Sequence, residues 1–187
     1  MSGLSRFLGK LVARLDSAGV PHMLTGSVAS TYFGEPRQTR DVDVVVDPSP
    51  DSLDRFVSSW ANDGYADAAA AREALTERGM FNVVDFETGW KADLIVRKDR
   101  AFSLSEFGRR RRVLVLEIET WLATPEDIVL AKLEWARDSG STRQRDDAAA
   151  VIRVGAGDLD WEYLRHWAEV LEIQDLLSGA SKRKATE

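Results

Sequence analysis

The chain has 187 residues, of which 44% are hydrophobic and 30% charged, and its net charge is −6. This size and composition are typical of one globular domain, or of one domain with a helical appendage. The negative charge argues against a protein that coats nucleic acid through a global positive field. With no cysteine and two histidines, the chain has no disulfide, no thiolate metal site, no thiol nucleophile and no multi-histidine zinc centre.

The N-terminal residues 2–10 carry charges at helical spacing instead of a continuous apolar stretch. We therefore predict no signal peptide. No apolar run in the sequence approaches the length of about 20 residues that a membrane-spanning helix needs. A cytoplasmic protein without membrane association is expected.

Up to residue 122 the spacing of hydrophobic residues predicts alternating helices and strands. In chain order the predicted elements are a helix over 4–15 ended by Gly19, a strand over 22–25, a helix over 28–33, a strand over 42–47, a helix over 53–60, a helix over 68–77, strands over 80–86 and 90–96, and a strand over 113–118. The segments 80–86 and 90–96 are predicted to form a hairpin. The pattern indicates an α/β (α+β) fold with a small mixed sheet flanked by helices.

From residue 123 the pattern is helical. Thr124 as a cap, Pro125 at the first helical position and acidic residues in the first turn signal a helix start. Further helices are predicted over 142–154 and 161–171. We therefore divide the chain into a core, residues 1–122, and a C-terminal helical region, residues 123–187, that packs on the core.

Two aspartates lie in the valine-rich strand. Alternate side chains of a strand point to the same face, so Asp41 and Asp43 emerge together. Aspartate is a poor strand former, and two adjacent carboxylates repel each other unless a cation lies between them. Mg²⁺ is the natural occupant, with Mn²⁺ as an alternative, because it takes carboxylate and phosphate oxygens. Asp93 in a second apolar strand gives a third predicted ligand for a two-metal site.

Gly26 and Ser27 lie between the strand over 22–25 and the helix that follows it. The N–H groups and the hydroxyl at a helix N-terminus can hold the phosphates of a nucleotide. Glycine allows close approach of the backbone to a phosphate. A plain helix cap is the alternative role for Ser27.

These motifs together resemble a known superfamily. Gly26-Ser27, Asp41-x-Asp43 and Asp93 are similar in order and setting to the nucleotidyltransferase superfamily, which includes DNA polymerase beta, aminoglycoside nucleotidyltransferases and minimal nucleotidyltransferases. The segments 23–29, 37–43, 123–133 and 143–147 further resemble small bacterial nucleotidyltransferase-like proteins related to the toxins of abortive-infection modules.

The resemblance implies a nucleotidyltransferase fold and an enzyme that moves a nucleoside monophosphate from a nucleoside triphosphate to an acceptor hydroxyl. Asp41, Asp43 and Asp93 would be the catalytic residues and the metal ligands, with Asp93 next to the acceptor hydroxyl. The acceptor stays open between a tRNA end, a protein hydroxyl and a small molecule. A partner protein encoded in a two-gene toxin-antitoxin or abortive-infection module is implied as well.

Lys132 and Asp147 match positions that contact the nucleotide in the related toxins. Asp146 is an adjacent alternative to Asp147. Helical spacing alone predicts a solvated Lys132, so its assignment to the nucleotide comes from the resemblance.

Other charged and aromatic groups have two interpretations each. Arg37 and Arg40 enter the carboxylate strand, where they would neutralise a triphosphate or pair with the aspartates. The arginines 109–112 form a local basic patch or a solvated loop, and the tail 181–184 is predicted to be a frayed terminus. Four tryptophans are predicted to be packing groups, and stacking of one exposed ring on a base is the alternative. They are Trp121, Trp135, Trp161 and Trp167.

The sequence thus predicts a Mg²⁺-dependent nucleotidyltransferase whose nucleotide contacts are Gly26, Ser27, Arg40, Lys132 and Asp147. The alternative is a nucleotide-binding regulator or antitoxin-like protein with little or no turnover.

Overall fold

The computed structural model describes residues 2–35, 39, 41–155 and 157–182. Within them the helices are α1 Gly3–Ala18, α2 Gly26–Phe33, α3 Pro50–Ser58, α4 Ala68–Glu77, α5 Ala101–Arg109, α6 Pro125–Ser139, α7 Thr142–Gly155, α8 Trp161–Val170 and α9 Gln174–Lys182. The strands are β1 His22–Thr25, β2 Asp41–Val46, β3 Gly64–Ala66, β4 Met80–Asp85, β5 Lys91–Val96, β6 Arg111–Val115 and β7 Ile118–Leu122.

The strands of the described part form one mixed sheet in the order β3-β4-β5-β2-β1-β7-β6. β2 pairs in parallel with β5, and β1 pairs in parallel with β7. The neighbouring pairs β1·β2, β3·β4, β4·β5 and β6·β7 are antiparallel. β2 therefore lies in the middle of the sheet, between β1 and β5.

One face of the sheet carries the hydrophobic core beneath α1 and α3. Val42, Val44, Leu94 and Phe81 alternate inward along the central strands and are buried. The aromatic rings above them are in contact: the ring centroids of Phe56 and Phe81 are 6.5 Å apart. Phe7 of α1 and Trp60, just after α3, continue this cluster with centroids 6.3 Å apart.

The opposite face is only partly covered. Near β2 it lies under α5 and α6, which face it across a cavity. Toward the β3 edge the sheet is open, since Tyr65 of β3 is 51% exposed and Met80 of β4 is 57% exposed. The aspartates of β2 and β5 lie on this second face, at the border between the covered and the open part.

The start of α6 is held by a buried polar network. Thr124 caps the helix by accepting a hydrogen bond from the Asp127 N–H, and its hydroxyl donates to Oδ2 of Asp127 at 2.6 Å. The hydroxyl of Tyr163 in α8 donates to Oδ1 of Asp127 at 2.6 Å. Arg109 at the end of α5 lies 3.5 Å from Asp127 Oδ2. Three separate segments therefore fix the position of α6.

Most predicted elements are present with boundaries shifted by one to three residues, but the prediction of one strand over 113–118 is wrong. The chain reverses at Leu116 and Glu117, whose φ values are 50° and 69°, so β6 and β7 form a hairpin. A two-residue hairpin turn needs positive φ at both residues and usually contains Asn or Gly, and the sequence contains neither there. α5, α9 and β3 were not predicted at all.

The basic patch is not a solvated loop. Arg109 ends α5, and Arg111 begins β6. The Arg110 guanidinium lies between two rings, 4.1 Å from the Phe107 centroid and 4.9 Å from the Trp121 centroid. Ser181 and Lys182 belong to α9, and the rest of the predicted tail lies outside the described residues.

None of the described helices is long and apolar enough to cross a membrane. After β7 the described chain is helical, and α6 packs against α2 of the preceding part. The division into a core, 1–122, and a helical region, 123–187, stays a prediction.

Tyr163→Phe should lower the free energy of unfolding by about 1–3 kcal/mol, because a buried carboxylate loses a hydrogen-bond donor. Urea denaturation measures this change. Tyr65→Phe is the control, because its hydroxyl contacts Asp67 at an exposed site at 3.4 Å; we expect a change within about 0.5 kcal/mol there. Equal effects of the two substitutions would show that the Asp127 network does not hold α6.

Candidate active site

The register of two parallel strands brings the predicted carboxylates together. Asp43 of β2 is the direct partner of Asp93 of β5, and Asp41 is the partner of Lys91. Residues at i and i+2 of a strand share a face, so Asp41, Asp43 and Asp93 all project from the partly covered face of the sheet. The three residues thus share one face of the sheet, and their role as catalytic residues and metal ligands stays a prediction.

The carboxylates perturb one another. Burial is the main reason that the pKa of Asp43 lies above its ordinary value, and the charges of Asp41 and Asp93 raise it further. The backbone N–H of Ser27 and the ammonium of Lys132 act in the opposite direction. A cation placed among these side chains would remove the repulsion.

Lys91 is the nearest cation to the third carboxylate. Its Nζ lies 3.0 Å from Oδ1 of Asp93, and this pairing is the main reason that the pKa of Lys91 is raised. Oδ1 of Asp93 is buried, and the contact does not meet hydrogen-bond geometry among the described residues. The ion pair therefore balances charge without satisfying the hydrogen-bonding capacity of that oxygen.

The turn from β1 into α2 fits closely against Asp43. Gly26 has a φ of 60°, and a Cβ atom at this position would overlap the Asp43 carboxylate. The Ser27 N–H donates to Oδ2 of Asp43 at 3.3 Å. Glycine is therefore required here for two reasons, the left-handed backbone and the missing side chain. The Ser27 N–H thus fixes the Asp43 carboxylate beside the turn.

Lys132 is buried, with 3% of its surface exposed, so the prediction of a solvated lysine from helical spacing is wrong. Its Nζ donates to Oδ2 of Asp147 at 2.8 Å and to Oε1 of Gln144 at 2.9 Å. Asp146 is exposed on the other side of α7. Of the two adjacent aspartates, Asp147 is thus the one that lies at Lys132.

A cavity of about 220 Å³ opens beside Asp43. It lies between the sheet, α5 and α6, and both apolar and charged side chains line it. Its lining in the described part of the chain is Thr25, Gly26, Asp43, Val45, Ile95, Val96, Arg97, Lys98, Arg100, Ser103, Glu106, Ile128, Ala131, Lys132, Glu134, Trp135 and Gln144. Two predicted nucleotide contacts, Gly26 and Lys132, therefore share one cavity with Asp43.

The donor set suits Mg²⁺ in part. Among the described residues no three His, Asp or Glu side chains already converge on a metal position. Mg²⁺, however, usually binds one or two carboxylates together with phosphates and water, not an all-protein cage. Asp43 and Asp93 lie in register, and the buried Oδ1 of Asp93 accepts no hydrogen bond from the described residues. This arrangement fits an ion that binds together with a nucleotide. The metal assignment itself stays a prediction.

Some of the predicted contacts cannot be placed, and others were missed. Arg37 and Arg40 lie outside the described residues. Lys91 and Glu106 were not singled out from the sequence, although both lie in the site. The signal for Lys91 is its i, i+2 spacing to Asp93 on one strand. Glu106 lies on α5, which went unpredicted; the helical spacing of Phe102, Glu106 and Phe107 would have indicated it.

Burial raises the pKa of Glu106 to about 8. The charge of Asp127 acts in the same direction, and Arg100 opposes it. Glu106 therefore carries a proton near neutral pH, in contrast to an ordinary glutamate.

Comparisons with known proteins give the fold. Neither a family model nor a curated protein matches the sequence. An antigenic nucleotidyltransferase-like protein from Paracoccidioides brasiliensis superposes with a TM-score of 0.58 at 17% identity, over 97% of this chain and 93% of that one. The antibiotic-resistance factor ANT(2'')-Ia superposes with a TM-score of 0.57 at 14% identity, over 96% of this chain and 95% of that one.

The chain has the nucleotidyltransferase fold. This confirms the predicted fold class, a nucleotidyltransferase fold with a mixed sheet flanked by helices, and in the described part of the chain that sheet has seven strands. At these low identities the similarity concerns the fold, and the roles of individual residues rest on the geometry described above.

Gly26→Ala should destabilise the protein more than Gly89→Ala does. Both glycines have positive φ, 60° and 70°, but a Cβ at Gly89 meets no atom within 4 Å. Gly89→Ala should therefore cost only the backbone strain of about 1–2 kcal/mol, while Gly26→Ala adds the overlap with Asp43. Chemical denaturation of both variants gives the difference. Equal losses would mean that the turn shifts away from Asp43 without cost.

Proposed function

We propose that the protein is a Mg²⁺-dependent nucleotidyltransferase that moves a nucleoside monophosphate from a nucleoside triphosphate to an acceptor hydroxyl. The observation that carries the proposal is the register of Asp43 with Asp93, with Asp41 on the same face. This group lies beside the Gly26-Ser27 turn at the mouth of a cavity. Carboxylates for a cation and a helix N-terminus for phosphates are the two parts that phosphoryl transfer requires.

The triphosphate is held at the start of α2 and by Lys132. Gly26 has no side chain, so a phosphate can approach the backbone closely. The Ser27 hydroxyl donates to a phosphate oxygen while the Ser27 N–H keeps Asp43 in place. Lys132 has three N–H donors, of which Asp147 and Gln144 engage two. The third is available to a phosphate in the cavity.

In the reaction an acceptor oxygen attacks the α-phosphorus, and the bond from that phosphorus to the bridging oxygen of pyrophosphate breaks. The acceptor proton passes to Asp93 or to water beside it, and pyrophosphate leaves with the bonding electrons. Mg²⁺ held by Asp41, Asp43 and Asp93 would supply charge neutralisation at the phosphoryl oxygens. Lys132 stabilises the negative charge of the departing pyrophosphate, and Lys91, 3.0 Å from Asp93, balances the charge of that carboxylate.

The acceptor is a tRNA end, a protein hydroxyl or a small molecule. One neighbour with this fold, ANT(2'')-Ia, has been crystallised with adenylyl-2''-tobramycin at a TM-score of 0.53 to this chain. That complex supports nucleotidyl transfer to a hydroxyl as a reaction this fold can carry. A role in a toxin-antitoxin or abortive-infection module, with a partner protein, belongs to the same proposal.

A nucleotide-binding regulator with little or no turnover is the second candidate. It is favoured by the absence, among the described residues, of three carboxylates that already converge on one point. A regulator needs only to hold the nucleotide, for which Gly26, Ser27 and Lys132 suffice. The two candidates differ in whether Asp93 has a function.

Mg²⁺ together with a non-hydrolysable nucleoside triphosphate should raise the melting temperature of the protein. A ligand that binds only the folded state stabilises it, by about 2.7 kcal/mol at a hundredfold excess over Kd. The double variant Asp41→Asn, Asp43→Asn should lose this shift, and Asp175→Asn, an exposed aspartate of α9, should retain it. An unchanged shift in the double variant would remove the two carboxylates from the site.

Asp93→Asn should abolish transfer while nucleotide binding survives, because the lost group acts on the acceptor side and mainly in the transition state. The wild type and the variant are incubated with Mg²⁺, each α-labelled nucleoside triphosphate and a pool of cellular RNA, protein and small hydroxylated compounds. Asp175→Asn again serves as the control.

Labelled product from the wild type and from Asp175→Asn, without product from Asp93→Asn, supports the enzyme. Equal labelling by all three proteins excludes Asp93 from the mechanism. Nucleotide binding without labelling under any metal or acceptor condition favours the regulator.

A further inference from the structure

The charged residues that line the cavity fall into two groups. Asp43 belongs to the first group, where Lys132 and the other aspartates influence it. Glu106 belongs to the second group, where its charged neighbours are Arg100 on α5 and Asp127 and Glu134 on α6. If the triphosphate lies at the first group, the part of the nucleotide left to reach the second group is the nucleoside.

The middle of the cavity suits a flat ring. Its walls are the apolar side chains of Val45, Ile95, Ile128 and Ala131. Trp135 lies at the rim, one helical turn after Lys132, and is 53% exposed. The sequence prediction that this tryptophan is a packing group is therefore wrong for most of its ring. An exposed indole beside an apolar slot is a platform on which a base can stack.

Glu106 is a polar residue of the same cavity lining. It is buried, at 8% exposed, and Ser103, one turn earlier on α5, lines the cavity with it. The guanidinium of Arg100 is engaged by Glu134 through two hydrogen bonds of 2.5 and 2.6 Å. Arg100 is therefore paired mainly with Glu134. The burial of Glu106 and the nearby charge of Asp127 keep a proton on the Glu106 carboxyl group near neutral pH.

A protonated carboxyl group has one donor and one acceptor side by side. Both edges of adenine that carry the amino group offer the complementary pair, a ring nitrogen that accepts and an N–H that donates. The guanine edge with N1–H and the amino group offers two adjacent donors, of which a neutral carboxyl can accept only one well. An ionised carboxylate, with acceptors only, matches guanine instead.

We propose that the part of the cavity lined by Glu106 takes the base of the donor nucleotide and that Glu106 selects adenine over guanine there. This rests on the proposed function, which places the triphosphate at Gly26 and Lys132. Glu106 acts by hydrogen bonding to the base and takes no part in the transfer step. Ionisation of Glu106 weakens the preference for adenine.

The test measures binding of α,β-methylene analogues of ATP and GTP by calorimetry, with Mg²⁺, at about pH 7 and about pH 8.8, on either side of the Glu106 pKa of about 8. The ratio of the two affinities is the readout. Groups that act on the phosphates, such as Asp43, Lys132 and the neighbouring Lys98, affect both analogues alike and cancel from the ratio. The wild type should prefer the adenine analogue by about tenfold at pH 7, and the preference should shrink several-fold at the higher pH.

Two variants of Glu106 separate hydrogen bonding to the base from a structural role of this residue. Glu106→Gln keeps a donor and an acceptor at every pH, so its adenine preference should persist at both pH values. Glu106→Leu should lose the preference at both. Glu169→Gln, at an exposed glutamate of α8, is the control and should behave as the wild type does. If Glu106→Leu fails to fold, the test still has an outcome, because the pH dependence of the affinity ratio can be compared between the wild type and Glu106→Gln.

The same ratio in wild type, Glu106→Gln and Glu106→Leu, without pH dependence, overturns the proposal. Inorganic tripolyphosphate, adenosine and guanosine are titrated as separate probes. Failure of tripolyphosphate to bind counts against the proposed function, while a Glu106-dependent preference for adenosine over guanosine still supports the base site. Tight tripolyphosphate binding without any preference between the nucleosides or the analogues leaves the proposed function standing and overturns the base site.

Discussion

The parallel pairing of β2 with β5 is the constraint on which the site depends. It puts Asp43 directly beside Asp93, in a part of the sheet whose other face is the hydrophobic core. Two carboxylates in this position repel each other, and burial increases the cost. The structure offsets the repulsion locally: the Ser27 N–H contacts Asp43, and Lys91 contacts Asp93. A cation with its phosphates would relieve the repulsion that remains.

The second requirement is the position of α6. This helix contributes Lys132, Ile128, Ala131 and Trp135 to the lining of the cavity. Its N-terminus is fixed by the buried Asp127, whose donors come from Thr124 before the helix and from Tyr163 on α8. The C-terminal helices therefore matter for the site although none of the carboxylates lies on them. A small rotation of α6 would move the lysine and the tryptophan together.

The sequence could indicate a carboxylate site because the signals for it are local, and the roles of these residues stay a prediction. Asp41 and Asp43 share a face by strand alternation alone, and Gly26-Ser27 lies at a strand-to-helix junction that both flanking patterns define. What the sequence did not reveal depends on tertiary contacts. The turn at Leu116 and Glu117 has positive φ without a glycine or asparagine, and the burial of Lys132 depends on Asp147 and Gln144 of another helix. Neither can be derived from the spacing of hydrophobic residues.

The Glu106 carboxyl group that lines the cavity lowers the stability of the fold. Its pKa is about 8 in the folded protein against 4.5 for an ordinary glutamate, so between these values the folded state binds the extra proton. The stability of the fold therefore falls as the pH rises through this window and is not affected by Glu106 below it. An aliphatic side chain at the same position would avoid this loss. A carboxyl group that weakens the fold yet lines the cavity beside Gly26 and Lys132 is best explained by a ligand that needs its hydrogen bonds.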